Sequence, residues 1–171
     1  MLFNPAARFQ MAHELRSPQG AAVGDLFSFV SGLYFRGKLA YARAFGHATP
    51  GQEPVHVITA GGGLCNPDER VTLARLQAWA AVSIHHDNPH FTAPLVRHAS
   101  ALRERFEPNA RFVLLGSIAS DKYVRPLSDA LGPSLLFPVD FAGLGDMSRG
   151  ALLLNSVRDK RELAYAPYAA R

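Results

Sequence analysis

Three short apolar runs alternate with segments of helical periodicity, and this alternation constrains the fold more than any other feature of the chain. The runs are Val55 to Ala60, Arg111 to Gly116 and Ser134 to Phe137. Between the first two, helical spacing is carried by Leu73, Leu76, Trp79 and Val82, then by Leu95, Ala99, Leu102 and Phe106. A shorter helix is expected over Val124 to Leu131, with Pro126 in its first turn and Gly132 as its stop. Upstream, Leu26, Val30, Leu33 and Tyr41 fall on or near one stripe of a helix over Asp25 to Phe45, capped by Asp25 and stopped at Gly46. Gly32 and Gly37 each cost about 1 kcal/mol against alanine inside that helix, so they mark close packing or a bend.

Strands alternating with helices predict an α/β fold: three layers, with a mostly parallel central sheet and helices on both faces. The 171 residues read as a single domain over 1–171, with 1–22 as an irregular N-terminal arm. The segment from Ala151 to Tyr168 reads as a C-terminal hairpin turning at Arg158 to Arg161, or as a helix ending near Arg161; the hairpin is preferred. In such a sheet every crossover is right-handed, so the outgoing loops share one edge, and ligands bind there. The expected site is therefore built from Gly61 to Arg70, Ser117 to Tyr123 and Pro138 to Arg149.

In the first loop, VITAGGGLCNPDER sets strand formers directly against Gly61, Gly62 and Gly63. Glycine brings backbone N–H groups close to an anion with no Cβ in the way, and a helix start beyond would add a favourable dipole. Asn66-Pro67-Asp68-Glu69 has the form of a capping box for that start, with Thr72 as the rival cap. A flexible turn is the competing account of the glycines. Counted from Gly61, a dinucleotide fingerprint needs glycine where Asn66 stands, and no Gly-Lys-Ser/Thr follows for a Walker loop.

The second loop places Ser117, Ser120, Asp121 and Lys122 in quick succession after an apolar run. The serines could donate to phosphate or ribose oxygens, Lys122 could neutralise a phosphate, and Asp121 could accept from a ribose hydroxyl or act as a base. Ser120 or Asp121 as a plain helix cap is the bland alternative. The stretch Leu114 to Ile118 resembles the strand-Gly-Ser-Ile motif of nucleoside deoxyribosyltransferase-like proteins. The likeness spans those residues alone, and that family's catalytic carboxylate pattern has no counterpart here, so no site role is carried over.

The third loop offers Asp140 and Asp146 as base or nucleophile and Arg149 as a stabiliser of developing anionic charge. Alternatively, Asp146 caps a short segment and pairs with Arg149. His85, His86, Asp87 and His90, with His98 beyond, are the densest group of potential metal ligands. Pro89 argues against a continuous helix that would bring His86 and His90 together, so no metal and no cofactor is expected. Cys65 reads as an inert small residue, and Tyr34, Arg36, Lys38 and Tyr41 as core aromatics with snorkelling charges, against a base-stacking face.

A formal charge of +4 favours anionic partners. The expected partner is an anionic small molecule or nucleotide, with nucleic acid possible and no membrane. A single cysteine, no secretory h-region and no sufficiently apolar span lead to a cytoplasmic expectation. The functional expectation is a nucleotide-, nucleoside- or nucleobase-binding enzyme of hydrolase or transferase type, with Asp121, Asp140 and Asp146 as candidate catalytic carboxylates. Its alternative is a non-catalytic binding module for a nucleotide ligand, nucleic acid or a protein partner.

Overall fold

The structure is a computed structural model that describes residues 1–118 and 120–168. It corrects the expected fold class. About half the chain is helical, and the strands form two small antiparallel pairs and one three-stranded mixed sheet; there is no large parallel central sheet among the described residues. No described helix is long and apolar enough to cross a membrane.

The chain begins with helix α1 (Gln10–Arg16) and strand β1 (Ala21–Ala22), then the long helix α2 (Val23–Phe45). Strand β4 (Arg70–Val71) pairs antiparallel with β1, and helix α3 (Leu73–Ala80) follows. Thr72, the rival cap, precedes α3; Asn66 to Glu69 is instead a turn closed by Glu69 N–H on Asn66 O at 3.0 Å. These parts bury Leu15, Val23, Leu26, Val71 and Trp79 together with Val57 and Cys65.

The first expected strand is the clearest reason the parallel sheet fails. Strand β2 (Val57–Thr59) does not run on into a helical crossover. It folds straight back through the glycines into β3 (Gly63–Cys65), with Val57 opposite Cys65 and Thr59 opposite Gly63. An apolar run that finds an antiparallel partner within a few residues closes a shorter loop than one waiting for a distant parallel partner.

Helix α4 (Pro89–Arg105) starts earlier than its apolar spacing suggests, because Asn88 caps it by accepting from His90 N–H at 3.1 Å and Pro89 fits the first turn. Phe91, Leu95 and Ala99 on α4 pack against Val124, Leu127 and Leu131 on helix α5 (Asp121–Leu131). Full burial of Phe91 and Leu95 is worth about 1.5–3 kcal/mol each. Strand β5 (Phe112–Val113) lies parallel to β6 (Leu135–Pro138) across α5, the one parallel pair in the described structure.

The preferred C-terminal hairpin is also corrected. Helix α6 (Asp146–Arg158) occupies its first half, burying Gly150, Leu153 and Ser156 at three-residue spacing. Strand β7 (Tyr165–Pro167) then pairs antiparallel with β6, not with its own neighbour. Tyr41 ties this tail to α2: its hydroxyl accepts from Leu163 N–H at 2.8 Å and lies 2.6 Å from the Tyr165 hydroxyl.

Helices α2 and α6 cross closely enough that glycine is required on both. A Cβ on Gly37 would lie 2.8 Å from Gly150 O, and one on Gly150 would lie 3.0 Å from Tyr34 Cα. Gly32 is the bend: its φ of 64° and ψ of −141° interrupt the helix between Ser31 and Leu33.

Candidate functional site

Beside this crossing lies a cavity of about 670 Å³. One wall is a stripe of α2 at helical spacing, comprising Phe27, Ser31, Tyr34, Phe35, Lys38, Leu39 and Ala42. The others come from His56 to Ile58 near β2, from Phe112 to Ser117 along and beyond β5, and from Lys122, Tyr123 and Leu127 on α5. Asp146 and Met147, at the start of α6, add to the lining, as do His47 and Arg111. The walls are mostly apolar, with a few polar groups converging on one region, the usual make-up of a small-molecule site.

Those polar groups are Tyr34, Lys38, Ser117, Lys122 and Asp146, with Arg149 behind them. Arg149 Nη1 lies 3.6 Å from Asp146 Oδ1, while its Nε and Nη2 donate to Phe141 O at 3.3 and 3.2 Å. The guanidinium is thus fixed by α6 and by the turn after β6. Lys38 Nζ sits 4.0 Å over the Tyr34 ring, and Lys122 Nζ lies 5.0 Å from the Tyr123 ring. Burial pulls the Lys38 ammonium below its ordinary pKa; Asp146 opposes this, and the positive charges of Arg149 and Lys122 add to it. Burial also pushes the Tyr34 phenol up, against the nearby charge of Arg149. Its Oη is buried and faces the Arg149 guanidinium, without reaching hydrogen-bond geometry among the described residues.

Of the residues expected from sequence, Ser117, Lys122 and Asp146 line this cavity, and Arg149 stands beside Asp146. Ser120 and Asp121 are exposed at the start of α5, and Asp140 is exposed in the turn after β6. None of those three lines the cavity. Gly61, Gly62 and Gly63 lie apart from the site at the hairpin tip, and each has a packing reason. A Cβ on Gly61 would lie 3.1 Å from Trp79, and one on Gly62 would lie 2.7 Å from both Thr59 Oγ1 and the Trp79 ring. Gly63 has a φ of 67°, and its Cβ would fall 2.6 Å from Pro94 O. The Gly62 N–H donates to Thr59 Oγ1 at 3.0 Å, so that amide is committed within the hairpin.

Sequence reasoning missed the two groups that give the cavity its character, Lys38 and Tyr34, by assigning both to the core and its rim. His85, His86 and Asp87 do cluster, their potential ligand atoms lying within 4.8 Å of one another on an exposed turn. The His85 and His86 rings stack at 4.3 Å, His86 Nε2 is 3.3 Å from Asp87 Oδ2, and His85 Nδ1 accepts from Asp87 N–H. Comparison with protein-family models, with curated proteins and with solved structures finds no match to this chain.

Proposed function

We propose that this chain binds a small organic phosphate of nucleotide size, its anionic group against Lys122 and Ser117 with the Arg149 charge behind them, and its apolar body in the cavity. The observation that carries this reading is the charge balance at one end of an apolar space. Lys122 and Arg149 both bear on the charge of Lys38, and Asp146, paired with Arg149, is the carboxylate among them. Cations crowded beside low-dielectric walls repel one another, and an anionic ligand relieves that repulsion. A concave space of about 670 Å³ suits a small molecule better than a nucleic-acid strand, which is held along an open basic groove. For hydrolysis or group transfer of that ligand, we assign the base to Asp146, the carboxylate that lines the cavity, and not to Asp121 or Asp140, which stand outside it.

The test is thermal unfolding of the wild-type chain and of Lys122→Met in the presence of phenyl phosphate and of a nucleoside monophosphate. A ligand bound to the native state raises the midpoint as its concentration passes Kd. The expected result is a rise with at least one of them and roughly tenfold weaker affinity in Lys122→Met, a loss of about 1.4 kcal/mol. No rise with either compound at millimolar concentration overturns the reading.

A further inference from the structure

We propose that Lys38 is a reactive amine, and that the ligand of this cavity carries an aldehyde or ketone with which Lys38 condenses to form an imine. The proposal rests on the organic-phosphate reading above and names the ligand's second functional group.

Three observations place the chemistry. Lys38 lies within the apolar stripe of α2 that walls the cavity, between Tyr34 and Ala42, so its side chain is directed along apolar surface. Its nitrogen rests 4.0 Å over the Tyr34 ring, which sets the amine beside the residue bearing the buried hydroxyl, although the ring face itself favours the ammonium and works against the burial. Two further cations, Lys122 and Arg149, bear on it against the single carboxylate of Asp146. Of these three cations a lysine can shed charge by giving up a proton, whereas a guanidinium stays charged. Desolvation by apolar walls and neighbouring positive charge are the two means by which a protein turns a lysine into a nucleophile. Here both act on the same nitrogen, and burial is the larger.

The step balances with groups already in the cavity. The neutral Lys38 amine adds to the carbonyl carbon, and the proton it loses ends on the carbonyl oxygen, giving a carbinolamine. The nitrogen lone pair then expels that hydroxyl, which leaves as water after taking a proton. The buried Tyr34 hydroxyl, which has no hydrogen-bond partner among the described residues, is the donor. The resulting iminium returns a proton to the tyrosinate, leaving a neutral imine, one water and Tyr34 restored. Lys122 and Arg149 are left to hold the ligand's anionic group.

The sequence supplies its own control. The chain has three lysines, of which Lys38 and Lys122 line the cavity and Lys160 is exposed at the end of α6. Pyridoxal 5′-phosphate, an aromatic aldehyde bearing a phosphate, is the probe. A short pulse on the wild-type chain at pH 7 is followed by borohydride, which reduces any imine to a stable amine, and the adduct is located by peptide mass mapping. The expected result is at least tenfold more adduct on Lys38 than on Lys160, reduced when phenyl phosphate is present. Adduct on Lys160 or Lys122 at a level equal to or above that on Lys38 overturns the proposal. The two readings fail separately. Phenyl phosphate that raises the unfolding midpoint, with no preference for Lys38, retires only the imine; phenyl phosphate and nucleotide both without effect retire the phosphate site on which it rests.

Discussion

Gly37→Ala tests whether the α2–α6 crossing builds the site. In an uncrowded helix interior this change stabilises by about 0.8–1.0 kcal/mol. At Gly37 the new Cβ would meet Gly150 O at 2.8 Å and Gly150 Cα at 3.2 Å. These are backbone atoms of a second helix, so no rotamer change relieves the contact. The helices must part by roughly 0.5 Å to restore ordinary separation. Overpacking of this kind costs about 1–3 kcal/mol, which exceeds the propensity gain. The net expectation is a loss of roughly 0.5–2 kcal/mol. Urea unfolding followed by the fluorescence of the single tryptophan, Trp79, reads the change. Because α2 carries Tyr34 and Lys38 while α6 carries Asp146 and Arg149, phenyl phosphate should also bind more weakly. An unfolding midpoint raised by the amount an open helical glycine gives would refute the tight crossing and the argument built on it.

Two further outcomes follow from buried polar groups. Tyr34→Phe removes a hydroxyl that is buried without a partner, so it should leave stability unchanged or raise it by up to about 1 kcal/mol; a loss larger than that in urea unfolding would show that the hydroxyl is well bonded. Burial holds the His56 imidazole below its ordinary value of 6.5, with Glu53 opposing, so on acidification through that value the unfolded chain takes a proton that the folded chain refuses. Stability then falls as pH drops from 6.5 toward the folded value, and His56→Gln should flatten that slope; an unchanged slope between pH 7 and 5 would rule His56 out as its source.

Local signals in this sequence are legible, and pairing partners are not. The long helix ends at Phe45 with Gly46 beyond it, Gly32 is a bend, Gly37 is a close contact and α5 stops at Gly132. All but the Gly37 contact, whose partner is the distant Gly150, are decided within a few residues by backbone freedom or by a cap. Strand partnership is decided elsewhere in the chain. Val57 to Thr59 is apolar enough for a buried central strand or for one arm of a buried hairpin; short loop closure and the packing of Trp79 and α4 around the glycines together favour the hairpin. The same blindness misassigned residues 146–158, where Gly150 looks like a loop residue and is instead the place where two helix backbones touch.

The expected site has a different history, because only part of it stays together without the sheet that was meant to frame it: Ser117, Lys122 and Asp146 line one cavity, with Arg149 beside Asp146. Ser117 and Lys122 follow β5, and Asp146 and Arg149 follow β6; those two strands do lie side by side, in parallel, across α5. A single βαβ unit therefore carries both loops to one end, which is the part of the sheet argument that needs only two strands. Helix α2 contributes the remainder, and there a signal was present in the sequence. Phe27, Ser31, Tyr34, Phe35, Lys38 and Ala42 recur at spacings of three and four, so Lys38 belongs to the stripe that faces inward. A lysine on the polar face of a helix reaches water at little cost, but one on the apolar face must find an anion, snorkel out or surrender its proton. Reading Lys38 as snorkelling chose the second outcome from residue type alone. Its position on the stripe, where burial is the largest influence on the ammonium and lowers its pKa, argues against the second outcome; an anion from a ligand and loss of the proton are the two that phosphate binding and imine trapping put to the test.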